Sequence, residues 1–240
     1  MTDSQHGGWT ESAQAWIASQ GELGDQGRRY VMDPAINEFL SHHTFTRALD
    51  VGCGEGRFCR LLSERGIHTT GIDPIEDLID LAIARHRDGE YLLGVAQDLP
   101  FADEQFDLVV SYLTLIDIPD YRAGIAEMAR VLSRNGTLLV ANLAPHMSAG
   151  MRHGWQYDDD GKPKHFGIDD YSHEWVAWME WADIRVQNWH RPLSAYIQAF
   201  LSHGLQLTHY DEPAPIEGYE DLYEKNARAP WFNLMIWRKP

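Results

Sequence analysis

Basic residues are in short supply: 20 Lys and Arg face 36 Asp and Glu across 240 residues, a formal net charge of −16. The longest basic cluster is Arg85-His86-Arg87, and the overall field repels phosphate backbones and anionic membrane surfaces. Neither nucleic acid nor membrane is therefore expected as a partner. Cysteine is scarcer still. Cys53 and Cys59 stand alone at no metal-ligand spacing, which excludes a disulfide scaffold and a cysteine zinc site and fits a reducing compartment. No stretch approaches the roughly 18 apolar residues of a membrane span, and the opening MTDSQHGGWTESAQAW lacks a basic segment followed by an apolar core. The expectation is a soluble, cytoplasmic protein. Hydrophobic residues at 44% and charged residues at 23% are near globular averages, so one folded domain over residues 1–240 is expected.

Within it, apolar runs alternate with amphipathic stretches from Arg47 onward. ALDV at 48–51, residues 67–72, 90–95, FDLVVS at 106–111 and GTLLVANL at 136–143 read as strands. Helical patterns over 56–64, 75–85 and 121–132 separate them, which is the signature of βαβ units and a parallel sheet. A helix over 194–203 and strands over 205–211 and 231–238 close the chain, the last two placed to pair antiparallel at the sheet edge. Asp33-Pro34 reads as an N-cap and first residue of a helix to Ser41, within an N-terminal helical cap over 1–46. Residues 144–189 break the rhythm. They hold five of the nine Trp and no clear parallel strand, and are expected to form an inserted lid over a site.

The chemistry gathers after the first strand, at Asp50-Val51-Gly52-Cys53-Gly54-Glu55-Gly56. Glycines there permit positive φ and close backbone approach, and the following helix offers free N–H groups at its start. The dinucleotide pattern GxGxxG is missing: the frame is GxGxG, with Arg57 where the third glycine belongs. A carboxylate about 6 Å from a pyrophosphate charge would cost roughly 3 kcal/mol at an effective dielectric of about 20. Asp50 and Glu55 therefore favour a cationic ligand over a nicotinamide dinucleotide. Asp73 ends the second strand in Thr70-Gly71-Ile72-Asp73-Pro74, 21 residues after Gly52, and Asp98-Leu99-Pro100-Phe101 begins 25 residues later.

In order and spacing these motifs resemble the class I S-adenosylmethionine-dependent methyltransferases of the small-molecule, type 11-like kind, strongly over residues 28–143 and in outline over 190–238. The resemblance implies an α/β, Rossmann-like, mostly parallel seven-stranded sheet in order 3-2-1-4-5-7-6, strand 7 antiparallel, with helices on both faces. It also implies S-adenosylmethionine as cofactor, giving S-adenosylhomocysteine. Carried over residue by residue, Asp50, Gly52, Cys53 and Gly54 match the part that meets the methionine moiety. Asp73, with Pro74 after it, matches the acid that accepts both ribose hydroxyls, which an ionised carboxylate does well. Gln97, Asp98 and Leu99 match the adenine-reading segment, Ser111 ends the fourth strand beside it, and Tyr30 or Arg29 matches the group reaching the cofactor carboxylate.

Residues 111–117, SYLTLID, lack the Asn/Asp-Pro-Pro-Tyr used on planar amino groups and the Pro-Cys of ring-carbon methylation. A small-molecule acceptor, methylated on O or N, is the expectation. Tyr112 is the candidate facing the methyl group. Among His146, His153, His165 and His190, His190 is the candidate base, with Arg191 beside it. The aromatics Trp155, Tyr157, Trp175, Trp178 and Trp181 are candidate pocket walls, although Trp175, Trp178, Met179 and Ala182 also fit one face of a packing helix. Asp158-Asp159-Asp160 lacks the spaced ligands of a calcium loop, so no metal is expected. A non-catalytic cofactor-binding protein is the alternative reading, and monomer and homodimer both stay open.

Overall fold

The computed structural model describes residues 5–240. A 3-10 turn, Gln5–Gly8, leads into α1 (Trp9–Gln20), and a π-turn over Arg28–Met32 runs into α2 (Asp33–Ser41). Then come β1 (Arg47–Val51), α3 (Arg57–Ser63), β2 (His68–Asp73), α4 (Glu76–Arg85), β3 (Glu90–Leu93), β4 (Phe106–Tyr112), α5 (Tyr121–Val131) and β5 (Leu132–Leu143). After α6 (Pro145–Ala149), two hairpins follow: β6 (Gly154–Tyr157) with β7 (Pro163–Gly167), and β8 (Trp175–Trp181) with β9 (Ile184–His190). The chain finishes with α7 (Leu193–Ser202), β10 (Gln206–Asp211), α8 (Glu220–Arg228) and β11 (Phe232–Arg238).

Seven strands form one sheet in the order β10-β11-β5-β4-β1-β2-β3, parallel except for β11, which is antiparallel to both neighbours. This is the expected 3-2-1-4-5-7-6 arrangement. Alternation along the strands splits the core between the two faces. Leu138, Val140, Met235 and Trp237 pack with Ile125 and Met128 of α5 and Tyr196 and Phe200 of α7. Leu139, Ala141, Leu234 and Ile236 pack with Ile36 and Leu40 of α2 and Phe58 and Leu62 of α3. Among the described residues no helix is long and apolar enough to cross a membrane.

Two expectations are corrected. Asp33 is not an N-cap, because the helix begins earlier: Asp25 Oδ1 accepts the Arg28 N–H at 2.9 Å, and the Asp33 N–H reaches back to the Arg28 carbonyl across the π-turn. Pro34 has no N–H to give the preceding turn, and the Tyr30 carbonyl accepts instead from the Ile216 N–H at 2.9 Å. Asp33 is thus left free to bind side chains. The second correction concerns residues 175–181, which form a strand and not a packing helix, paired with β9 from Trp175↔His190 to Trp181↔Ile184.

Candidate active site

A cleft opens at the carboxyl ends of β1, β2 and β4, where open α/β sheets place their ligands. Its empty volume, counting the part open to solvent, is about 1160 Å³, ample for a nucleoside-sized ligand. The floor is the turn after β1. Gly52 has φ +76, and the N–H groups of Gly52 and Cys53 both donate to the Ile72 carbonyl, at 2.8 and 3.1 Å, which docks the turn on the end of β2.

Gly52 also lies against the loop after β4. A Cβ there would meet Thr114 Cγ2 at 2.1 Å, while the Thr114 hydroxyl donates to the Gly52 carbonyl at 3.3 Å. Gly52→Ala is therefore expected to displace that loop as well as strain the turn. The expected result is a loss of about 2–3 kcal/mol in chemical denaturation, the range of overpacking and of an L-residue forced to positive φ. A variant as stable as the parent would show that the contact yields easily.

Two carboxylates flank the turn. Asp50, 2% exposed, accepts weakly from the Cys59 thiol at 3.7 Å through Oδ2, while its Oδ1 has no partner. Burial pushes this carboxyl up to about 7, with Asp73 adding to the rise against the Cys59 hydrogen bond. Asp73 accepts from the Gly54 N–H at 2.9 Å and the Ile75 N–H at 3.0 Å, and burial raises it to about 6. Both are thus poised to gain from a donor or a cation. Glu55 differs: Arg60 and Arg85 hold it at 2.7 and 2.8 Å, so its charge is already matched. Cys53 is buried with its thiol pushed well up, as befits a small turn residue and not a nucleophile.

Asp50, Gly52, Cys53, Gly54, Asp73, Pro74, Gln97 and Tyr112 all line the cleft. The structure does not bring Tyr30, Asp98, Leu99, Ser111 or His190 there. Tyr30 stacks on Tyr219 with ring centroids 3.6 Å apart, and Arg28, two residues earlier on the helix, faces the cleft in its place. The Arg28 guanidinium pairs with Asp25 and lies 5.9 Å from Trp16 and 5.8 Å from Tyr112. Asp98 is exposed, and Leu99 is buried under α5, with its N–H donating to Glu127 at 2.9 Å. Ser111 is fully buried within the sheet.

His190 is fully buried, its Nε2–H donating to the Tyr171 carbonyl at 2.8 Å and its Nδ1 held 2.7 Å from the Ser148 hydroxyl. Burial lowers its pKa, so it is a neutral core histidine with no nitrogen left for an acceptor. His146 meets the Pro230 carbonyl at 2.7 Å, while His153 and His165 are exposed on the insertion. Tyr112 presents its ring, but its hydroxyl donates to Asp33 at 2.9 Å, beside the Arg57–Asp33 pair. Burial and the Asp33 charge raise the phenol far above its ordinary range, so its hydroxyl stays protonated and engaged with Asp33. Arg191 is buried behind the cleft, where it donates to the carbonyls of Leu115, Ile118 and Pro119 at 2.7, 2.5 and 3.0 Å.

The roof comes from α1, and sequence reasoning overlooked it. His6, Trp9 and Trp16 line the cleft, whereas Trp155, Tyr157, Trp175, Trp178 and Trp181 do not. Trp9, Ala13, Trp16 and Ile17 pack on Ile75 and Leu78, a 0, 4, 7, 8 spacing that a search for helical faces detects. Ser12 fastens the helix to β9, its Oγ donating to the Arg185 carbonyl at 3.1 Å and accepting the Arg185 N–H at 3.0 Å. Thr114 and Asp117, from the loop after β4, complete the wall.

A family model described as a methyltransferase domain matches residues 49–140. The malonyl-[acyl-carrier protein] O-methyltransferase of Serratia marcescens is 34% identical over 119 residues, 50% of this chain and 47% of that one. The demethylmenaquinone methyltransferase of Thermotoga maritima is 35% identical over 101 residues, 41% of this chain and 44% of that one. The match thus spans about half the length of these curated relatives. The crystal structure of an S-adenosylmethionine dependent methyltransferase from Mesorhizobium loti superposes with a TM-score of 0.79 at 27% identity, covering 91% of this chain and 100% of that one. By sheet order, motif order and these likenesses, the chain carries a methyltransferase domain over residues 49–140 and is similar in fold to the class I S-adenosylmethionine-dependent methyltransferases.

Proposed function

We propose that this chain methylates a heteroatom of a small-molecule acceptor by in-line transfer from S-adenosylmethionine. The observation that carries the reading is the orphaned Oδ1 of Asp50, buried at 2% exposure in a cleft wall with no protein donor in reach. A buried carboxylate oxygen without a partner is costly, and a cationic ligand group beside the glycine turn removes that cost. S-adenosylmethionine, when bound, supplies an electrophilic methyl group on a sulfonium. Asp50 would hold its ammonium, Arg28 its carboxylate, Asp73 the ribose hydroxyls, and Val95, Ala96 and Gln97 would lie beside the adenine. Because the leaving group would be a neutral thioether, no acid would be required of the protein on that side. The protein's part is positioning and the exclusion of water under α1.

Titration calorimetry with S-adenosylmethionine and S-adenosylhomocysteine tests this, with NAD as control. Micromolar binding of the first two and none of NAD is expected. Binding of NAD alone would overturn the reading.

The raised carboxyls make that binding pH-dependent. Asp50 near 7 and Asp73 near 6 are partly protonated in the ligand-free protein at mildly acid pH, and a cationic ligand requires Asp50 ionised. Binding therefore expels protons, and affinity is expected to fall as pH drops through 7 toward 6. For the ligand-free fold the sign is opposite. Both groups sit above their unfolded values, so their contribution to stability is full below about pH 4 and is lost as pH rises through 6 to 7. Calorimetry at pH 6.5 in buffers of different ionisation heat reads the proton release directly. Equal apparent enthalpies in all buffers would remove Asp50 from the ammonium site.

A further inference from the structure

The wall of the cleft formed by the loop after β4 has a carboxylate of its own. Asp117 lies on the loop between β4 and α5, where the Trp9 ring comes down from the roof. Its Oδ1 accepts from the Asn188 amide at 2.6 Å, and its N–H donates to the Thr114 carbonyl at 2.9 Å. No completed hydrogen bond reaches the other oxygen, Oδ2, although the Trp9 indole N–H, itself without a completed partner, lies close enough to pull on the carboxyl. The loop that carries it is fixed from outside by the three carbonyl contacts of Arg191 and by the Trp189 N–H, which donates to the Ile116 carbonyl at 2.7 Å. One oxygen is thus oriented and the other has no completed bond, on a rigid support.

Cations at the cleft are already committed. Arg28, paired with Asp25, is the group assigned above to the cofactor's carboxylate, and Arg57 is paired with Asp33 at 2.8 Å. His6 is the remaining basic side chain among the described lining residues. An acceptor carboxylate would therefore approach Asp117 with no free guanidinium to receive it.

We propose that Asp117 is the acceptor-facing base of this cleft and that the acceptor presents a hydroxyl or an amine, not a carboxylate. The inference rests on the methyl-transfer reading above. As the acceptor's lone pair forms the new C–O or C–N bond, the C–S bond breaks and its electron pair stays on sulfur. The acceptor's proton passes to Oδ2, and from there to solvent. Burial pushes the Asp117 carboxyl up to about 7, against the pull of the Trp9 indole, Asn188 and Arg28 and with a contribution from the Asp73 charge. His6 from the roof lines the same cleft, and Tyr196 on α7 senses the Asp117 charge. A base in that range is half ionised near neutral pH and strong enough to take a proton in the transition state.

The test pairs the parent protein with Asp117→Asn, which keeps the acceptor oxygen for Asn188. Calorimetry with S-adenosylmethionine comes first: absence of binding by the parent sinks the methyl-transfer reading itself, while equal binding by both proteins confirms an intact cofactor end. Transfer of labelled methyl to catechol, tyramine and the malonyl thioester of pantetheine then reads the acceptor class. Expected are methylation of catechol or tyramine with a rate that rises to a plateau above about pH 7, a loss of about 100-fold or more in Asp117→Asn, and no labelled thioester. Independent of turnover, carbon NMR of aspartate-labelled protein should show a carboxyl titrating near neutral pH that disappears in Asp117→Asn. Methylation of the malonyl probe, silence of both other probes despite cofactor binding, a variant within threefold of the parent, or no such carboxyl signal would each overturn the proposal.

Discussion

Asp73→Ala is expected to weaken binding of S-adenosylmethionine by about 100-fold, or about 3 kcal/mol, as read by calorimetry. The size follows from what a carboxylate can do at that point. Asp73 already accepts the Gly54 and Ile75 N–H groups, and each of its oxygens has a lone pair left for a ribose hydroxyl. Hydrogen bonds to a charged group contribute roughly 1.5–3 kcal/mol each. Alanine removes both, and it also unties the glycine turn from the end of β2. Asp73→Asn separates the two effects: its single amide oxygen holds one backbone N–H while its NH₂ faces the other, so a loss comparable to that of alanine is expected from asparagine too. Affinity within threefold of the parent in the alanine variant would take Asp73 out of the site.

Arg191→Met is expected to lower global stability by about 3–5 kcal/mol, the cost of breaking a buried charged network from one side. Three carbonyls, those of Leu115, Ile118 and Pro119, would lose their donor, and the guanidinium would no longer lie over Tyr121, 4.2 Å from its ring centre. For a chain of this size that is a fall of roughly 10 °C in thermal midpoint. The folded fraction is expected to bind cofactor nearly normally, because Asp50 and Asp73 belong to other loops, while acceptor turnover fails. A midpoint shift of less than about 2 °C would mean that water or a relaxed loop satisfies those carbonyls.

The sheet was readable because its strands are buried on both faces, and stretches such as Leu108–Val110 and Leu138–Ala141 therefore appear as unbroken apolar runs. The cofactor end was readable for a related reason. Asp50, Gly52, Gly54 and Asp73 sit immediately at strand ends, so locating the strand locates the residue. Elsewhere the local signal pointed the wrong way. Trp175, Trp178 and Met179 match a helical spacing, yet the segment is a strand whose turn is Ala182-Asp183, both at positive φ, without the Asn-Gly that normally announces such a hairpin. Tyr30 missed the cleft by the rotation of a helical turn, since two residues carry a side chain to the opposite side of the axis. His190 was chosen for its residue type. Contacts from Ser148 and Tyr171, far away in sequence, make it structural, and nothing local to Ile116-Asp117-Ile118 distinguishes the acid that lines the cleft instead.

The bond pair between Ser12 and Arg185 bears also on how copies of the chain meet one another. A two-stranded ribbon rich in tryptophan presents an outer row of N–H and C=O groups that a neighbouring chain can extend into a growing ladder. Along β9 that row is interrupted at two places: the Ser12 hydroxyl takes both backbone groups of Arg185, and the Ile116 carbonyl takes the N–H of Trp189. At Arg185 neither backbone group, and at Trp189 no N–H, is left to template a new strand. The fastening of α1 thus doubles as a guard against aggregation.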